Sequence, residues 1–201
     1  MGEVAGVVLA AGPGRRMGLP TPKLLLPIGG KPMLERVLDL VEGLPLYERV
    51  LVVGAYAQEI LRALFSAEFF GEEEAVFERN GKPWRVLYNA GWPEGMGSSL
   101  RLAAKALSGG MLVFLGDMPY VSEKAARAVL AQAGELPVAP SYQGQRGFPV
   151  FLPASLRPKL FGIRGDVGAR DFLPECVLIP WEEPGVILDL DRPEDLEVKP
   201  S

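Results

Sequence analysis

Three short stretches hold most of the residues able to do chemistry, and each follows an apolar run. The first reads Leu9-Ala10-Ala11-Gly12-Pro13-Gly14-Arg15-Arg16-Met17-Gly18, with Lys23 shortly after. Glycine-rich turns free backbone N–H groups to point into a concavity, which favours anions. Arg15, Arg16 and Lys23 add charge suited to phosphate oxygens. A flexible loop with solvated arginines would look the same in composition. The second stretch is Asn89 to Ser99, where Gly95, Gly97, Ser98 and Ser99 precede an apolar helical stripe. Amides and hydroxyls at such a helix start can bond a base or ribose, or can simply cap the helix. The third is Gly116-Asp117-Met118-Pro119. A carboxylate held at a strand end beside Pro can bind Mg²⁺, or can serve as a turn or capping residue.

Two familiar phosphate-binding patterns do not fit the first stretch. A P-loop requires Gly-Lys followed by Ser or Thr, which is absent. A dinucleotide fingerprint requires G-x-G-x-x-G and an acidic residue ending the second strand. Here the glycines are Gly12, Gly14 and Gly18, and the second strand ends in Val53-Gly54-Ala55.

The composition narrows the chemistry further. Among 201 residues there is no His and one Cys, Cys176. That excludes Ser-His-Asp and Cys-His catalysis, imidazole acid–base steps and a His-ligated zinc. It also excludes a disulfide framework within one chain. Carboxylates, Lys, Arg, hydroxyls, backbone amides and a hard cation remain. The net charge is −4, yet residues 1–34 carry +3 and the remainder −7. A cationic patch on an acidic chain suits a small anion better than nucleic acid. Charge order around Val4–Ala11 is the reverse of a signal peptide, and no apolar run reaches the roughly 18 residues of a membrane span. A cytoplasmic protein with Cys176 reduced is expected.

The elements that must position these residues alternate. Val4–Leu9, Arg49–Val53, Trp84–Tyr88 and Met111–Leu115 are continuous apolar runs, as in strands buried on both faces. Met33–Glu42, Ala57–Phe65 and Ser98–Leu107 show helical stripes, and Ser122 caps a helix to about Ala133. Glu72–Asn80 reads as a solvated turn or hairpin. Leu136–Ala139, Phe148–Phe151, Cys176–Ile179 and Gly185–Leu188 read as short strands, with a helix near Ser155–Phe161. Such alternation predicts an α/β, Rossmann-like three-layer single domain over residues 1–201, with a mostly parallel mixed sheet. Ligands then bind outside the carboxyl ends of the strands, where all three stretches fall. The tryptophans Trp84, Trp92 and Trp181 read as core or rim.

At this point Leu9 to Pro27, LAAGPGRRMGLPTPKLLLP, resembles the signature of the nucleotidyltransferases that activate sugars, isoprenoid precursors and the molybdenum cofactor. Five later motifs follow in order: Gly95-Met96-Gly97-Ser98-Ser99-Leu100, Gly116-Asp117-Met118-Pro119, Arg146-Gly147-Phe148-Pro149-Val150, Gly165-Asp166-Val167-Gly168-Ala169-Arg170 and Asp189-Leu190-Asp191-Arg192-Pro193-Glu194-Asp195. Together they look like the molybdenum cofactor cytidylyltransferases, over nearly the whole chain. Two positions depart from that pattern. Gly14 stands where the signature usually has Ser, and Phe148 stands where relatives keep His.

The resemblance implies transfer of CMP from CTP to a molybdopterin-type phosphate, with release of pyrophosphate and Mg²⁺ as cofactor. GTP, or another phosphorylated acceptor, is the alternative; Ala11 matches the cytidylyl branch, where the guanylyl branch has Gly. It implies catalytic roles for Lys23, Arg16 and Asp117. The nucleotide would meet Leu9, Ala10, Ala11, Gly12, Gly14, Arg15, Arg16, Lys23, Asn89, Gly97, Ser98 and Ser99. Asp117 and Asp191 would hold metal, with Asp189 in reserve. Arg146, Gly147, Phe148, Asp166 and Arg170 would border the acceptor. A molybdoenzyme apoprotein is an implied partner, and neither nucleic acid nor membrane is.

Overall fold

A computed structural model describes residues 2–14, 20–165 and 175–197. Strand β1 is Val4–Ala10, followed by the hairpin β2, Pro27–Ile28, and β3, Lys31–Pro32. Then come α1, Met33–Glu42; β4, Glu48–Val53; α2, Ala57–Phe65; β5, Glu74–Arg79; and β6, Lys82–Tyr88. Helix α3, Met96–Ala106, leads to β7, Gly110–Leu115, and α4, Glu123–Ala131. The remainder holds β8, Val138–Tyr142; β9, Gln145–Arg146; β10, Val150–Leu152; α5, Arg157–Leu160; and β11, Val177–Pro180.

The main sheet runs β11-β8-β10-β7-β1-β4-β6-β5, with β9 beside β8. Its centre, β6-β4-β1-β7, is parallel. Strand β10 runs antiparallel to both β7 and β8, and β5 antiparallel to β6. The architecture is therefore the predicted α/β three-layer fold with a mixed, mostly parallel sheet.

Period-two alternation divides each central strand between two cores. Val8, Leu51, Leu112 and Phe114 pack with α1, α2 and α4. Val7, Val50, Val52, Met111 and Val113 pack with α3 and α5 on the opposite face. Burial on both faces is why these strands read as unbroken apolar runs. The edge strand β5 instead alternates exposed Glu74, Val76 and Glu78 with half-buried Ala75 and Phe77. Its last residue, Arg79, is buried and pairs with Asp39 and Glu42 of α1 at 2.8 and 2.7 Å. Burial opposes ionisation of Asp39, but Lys31 and Arg79 outweigh it and hold its carboxyl below the usual aspartate range.

Three local expectations change. Gly185–Leu188 is not a strand: Pro184–Val186 forms a 3₁₀ turn closed by Ile187 N–H donating to Pro184 O at 2.9 Å. Proline's fixed φ favours that turn over a ladder. The strand expected at Phe148 begins at Val150, since Pro149 has no N–H for a ladder. The β2–β3 hairpin was not anticipated; Gly29 and Gly30 turn it with positive φ of 58° and 83°. Among the described residues no helix is long and apolar enough to cross a membrane.

Candidate active site

The chain enters β1, returns to β4 and β6 on one side, and then crosses to β7 on the other. The strand order thus reverses beside β1, opening a crevice at the carboxyl ends of β1 and β7. A cavity of about 280 Å³ lies there. Its walls include the loop Leu9 to Gly14, Lys23, Asp117 and Ser99. Two glycines make the crevice possible. Gly14 has φ +59°, and a Cβ there would lie 2.6 Å from Lys23 Cβ. The departure from Ser at this position is thus matched to the packing of Lys23. Gly54 follows β4, where a Cβ would lie 2.8 Å from both Ala11 O and Trp92 Cβ.

Lys23 opens a 3₁₀ turn, Lys23–Leu25, in which Leu26 N–H donates to Lys23 O at 3.1 Å. Leu24 and Leu25 pack against the core and fix the turn. Lys23 is consequently buried, with its Nζ donating to Asp117 Oδ2 at 2.9 Å and Asp191 Oδ1 at 2.7 Å. Burial pulls the ammonium pKa down, but the charge and hydrogen bonds of Asp117 and Asp191 more than offset this and raise it above the ordinary lysine value.

Asp117 lies two residues beyond the end of β7, and its backbone carbonyl accepts from Leu190 N–H at 3.0 Å. Leu190 is buried beside Ile28 and Met33, which anchors the segment carrying both later acids. Asp191 N–H and Arg192 N–H each donate to Asp195 Oδ2 at 2.9 Å. Asp195 therefore positions Asp191, a role the sequence reading did not assign. The segment is not strand; the buried Leu190 and the Asp195 clamp hold the stretch that carries the two acids. One oxygen from each of Asp117, Asp189 and Asp191 lies within 4.8 Å of the others. Burial raises the Asp189 pKa, and the nearby charges of Asp191 and Asp117 add to it. Three carboxylates are a hard-oxygen donor set suited to Mg²⁺ or Mn²⁺, and the Lys23 ammonium already seats a positive charge against two of them.

The second stretch differs from expectation. Asn89 does not line the cavity. Its Nδ2 donates to Ser98 Oγ and Ser99 Oγ, both at 2.9 Å, and its Oδ1 accepts from Gly91 N–H at 2.9 Å. Ser98 in turn donates to Gly91 O and Gly95 O at 3.0 and 2.7 Å. Asn89 and Ser98 thus hold the loop in shape, and Ser99, Gly95, Met96 and Trp92 face the cavity. Tyr56 and Ile60 of the β4–α2 region also line it; the sequence marks Ile60 as an inward helix residue and does not single out Tyr56. Trp84 is fully buried, in accord with a core role, whereas Trp92 borders the cavity. We expect Asn89→Ala to destabilise the fold by about 1–3 kcal/mol, because two buried hydroxyls and an amide lose their partner. It should raise KM for the nucleotide more than it lowers kcat. Urea unfolding and steady-state kinetics check this; an unchanged KM with reduced kcat would contradict the positioning role.

Of the expected acceptor residues, Phe148 is half-buried and lines a small apolar cleft with Leu9, Met96, Gly97, Leu100 and Val150. Gly147 is buried, its N–H donating to Pro140 O at 2.8 Å, and Arg146 is half-buried in β9. Arg15, Arg16, Asp166 and Arg170 lie outside the described residues.

Residues 6–178 match the MobA-like NTP transferase domain. Nicotine blue oxidoreductase of Paenarthrobacter nicotinovorans is 33% identical over 190 residues, spanning 89% of this chain and 83% of that protein. The bifunctional protein GlmU of Sphingopyxis alaskensis is 33% identical over 134 residues, which are 65% of this chain and only 26% of GlmU. Among solved structures, a homologue of Mycobacterium tuberculosis Rv0371c from Mycobacterium sp. strain JC1 is similar with TM-score 0.76 and 27% identity, covering 96% of this chain and 93% of that one. Rv0371c itself, from M. tuberculosis H37Rv in complex with manganese, gives 0.72 at 23% identity, covering 96% and 95%. Molybdopterin-guanine dinucleotide biosynthesis protein A from Archaeoglobus fulgidus gives 0.65 at 20%, covering 96% and 95%. The last two likenesses concern the fold alone.

Proposed function

The chain belongs to the MobA-like NTP transferase domain family, a nucleotidyltransferase family, and we propose that it transfers CMP from CTP to a molybdopterin-type phosphate. The whole chain, residues 1–201, would act as a single nucleotidyltransferase domain, delivering its product to a molybdoenzyme apoprotein. The observation that carries a transferase reading is the convergence of Lys23, Asp117 and Asp191 at the mouth of the β1 loop. The cytidylyl preference rests on the sequence at Ala11, whose methyl group narrows the space left for a base. A methyl is a modest selector, worth about 1–3 kcal/mol, so GTP is the competing substrate.

In this reading an acceptor phosphate oxygen attacks the α-phosphorus of the nucleotide. A bond forms from that oxygen to the α-phosphorus as the bond to the β-phosphate oxygen breaks, and pyrophosphate leaves. The attacking oxygen is anionic at neutral pH, so no general base is required. That fits a chain without histidine. Backbone N–H groups of Gly12 and Gly14, with Arg15 and Arg16, would cradle the β- and γ-phosphates. Lys23 would neutralise charge on the α-phosphate and the departing pyrophosphate. Asp117 and Asp191, with Asp189 beside them, would hold Mg²⁺, which supplies charge neutralisation between the two anionic reactants when bound. Arg146, Gly147, Phe148, Asp166 and Arg170 would border the acceptor. Phe148 in place of His makes the wall there more apolar.

A second reading follows from one observation: a relative matching 89% of this chain is named an oxidoreductase. Pyrophosphate release decides between the two readings when it is measured with CTP, GTP, ATP and UTP against molybdopterin and other phosphate-bearing acceptors. CTP- and acceptor-dependent release is expected. A GTP preference would overturn the cytidylyl assignment. Oxidoreductase activity with nicotine blue, and no pyrophosphate release, would overturn the transferase reading.

A further inference from the structure

Lys23 stands between the two halves of the site. On one side its aliphatic stem packs against Gly14 of the anion-binding loop. On the other its Nζ is held by Asp117 and Asp191, two of the three carboxylates that converge. The ammonium therefore uses oxygens that a divalent cation would need, and it does so from a buried position where water screens little. A cation entering the cluster meets both a competitor for its ligands and a like charge. A triphosphate in the adjoining loop offers that ammonium another partner of opposite charge.

We infer that Lys23 is a built-in counter-ion which keeps the Asp117–Asp191 cluster closed to divalent metal until nucleotide phosphate draws it away. This rests on the phosphate and metal assignments proposed above and adds to them a coupling between the two ligands. Such coupling is reciprocal: metal in the cluster frees Lys23 for phosphate, and phosphate on Lys23 frees the cluster for metal. The arrangement guards an acidic cluster from capturing a cation in the absence of substrate. It also gives Lys23 a positioning role that is separate from any contribution during transfer.

The test is metal binding without turnover. Mn²⁺ is titrated into the nucleotide-free full chain and followed by the paramagnetic resonance signal of the free ion. Lys23→Met keeps the aliphatic stem and removes the charge. It should bind Mn²⁺ more tightly than the wild type, within the about 5–150-fold range of ordinary site coupling. Equal or weaker binding would overturn the inference. CTP should enhance Mn²⁺ binding more in the wild type than in Lys23→Met. Direct chelation by the triphosphate is common to both proteins, so the difference isolates Lys23. An equal enhancement would overturn the coupling. Combining Lys23→Met with Asp117→Asn should abolish the tight binding; if it persisted, the metal assignment itself would fall, independently of the coupling. The wild-type chain supplies a readout needing no substitution. With ¹⁵N-labelled lysine, saturating Mg²⁺ should shift the Lys23 side-chain resonance, and an unmoved resonance would overturn the inference.

Discussion

Asp117→Asn lowers the rate of pyrophosphate release by about 10²–10³ at saturating substrates, the loss expected when one charge-stabilising group is removed from a transferase site. The substitution keeps shape and removes charge. The fold around it should persist, because Asp117 ties the C-terminal segment through its backbone carbonyl, which accepts from Leu190 N–H at 3.0 Å. Lys23 also retains Asp191 as a partner at 2.7 Å. The defect should therefore appear in kcat and in metal affinity, with the thermal unfolding midpoint little changed. Steady-state kinetics alongside a melt separate these outcomes. Near-wild-type turnover in Asp117→Asn would remove this carboxylate from the machinery, and with it the reading of the cluster.

The second large effect is on stability. Trp84→Ala should destabilise the chain by about 3–5 kcal/mol, the range for truncating a large aromatic in a core. Trp84 is 0% exposed. Its ring lies 6.3 Å from that of Phe65 in an edge-on arrangement. Its Nε1 donates to Glu42 Oε1 at 3.0 Å. The same carboxyl group accepts from Arg79 and Asn80, so Trp84 joins β6, α1 and the β5 edge hairpin at one point. For a chain of this size each kcal/mol corresponds to roughly 2–4 °C in the midpoint, which makes the loss plain in a melt. Trp84→Phe keeps one aromatic ring but loses the second ring of the indole and the Nε1 bond to Glu42, and should cost less than Trp84→Ala. A loss below about 1 kcal/mol for Trp84→Ala would mean that the cavity collapses around neighbouring side chains.

Much of the fold was readable because its signals are local. Met33–Glu42 and Ala57–Phe65 begin and end where their stripes do. Ser122 accepts from Ala125 N–H at 3.1 Å, as a capping serine should. The central strands announced themselves through two-sided burial. The misreadings fall where the residues themselves are ambiguous: Gly185–Leu188 has strand-like composition, but Pro184 steers it into a turn. The β2–β3 hairpin has strands of two residues each, too short for any periodicity to register.

Candidate residues could be picked out in the sequence, but which of them line the cavity could not. Asn89 and Ser99 looked alike as polar groups near a glycine-rich loop. In the fold Asn89 spends its donors on Ser98 and Ser99, and of the three only Ser99 meets the cavity. Nothing in the sequence marks Tyr56 as a cavity residue either, because it stands alone at the start of α2.

By itself the sequence determined the chemistry available: no imidazole, one thiol, a glycine-rich cationic loop, and carboxylates behind apolar strands. It also determined the strand–helix alternation that puts those groups at strand ends. Which of them meet was decided only by the tertiary structure. Lys23 is 94 residues from Asp117 and 168 from Asp191, and no local propensity spans such distances. Strand order sets β7 beside β1, bringing Asp117 to the loop. The buried Leu190 and the Asp195 clamp then bring Asp191 to the same ammonium. Periodicity and turn chemistry act over a few residues, whereas the ion pair at the centre of this site forms only when the whole sheet has closed around it.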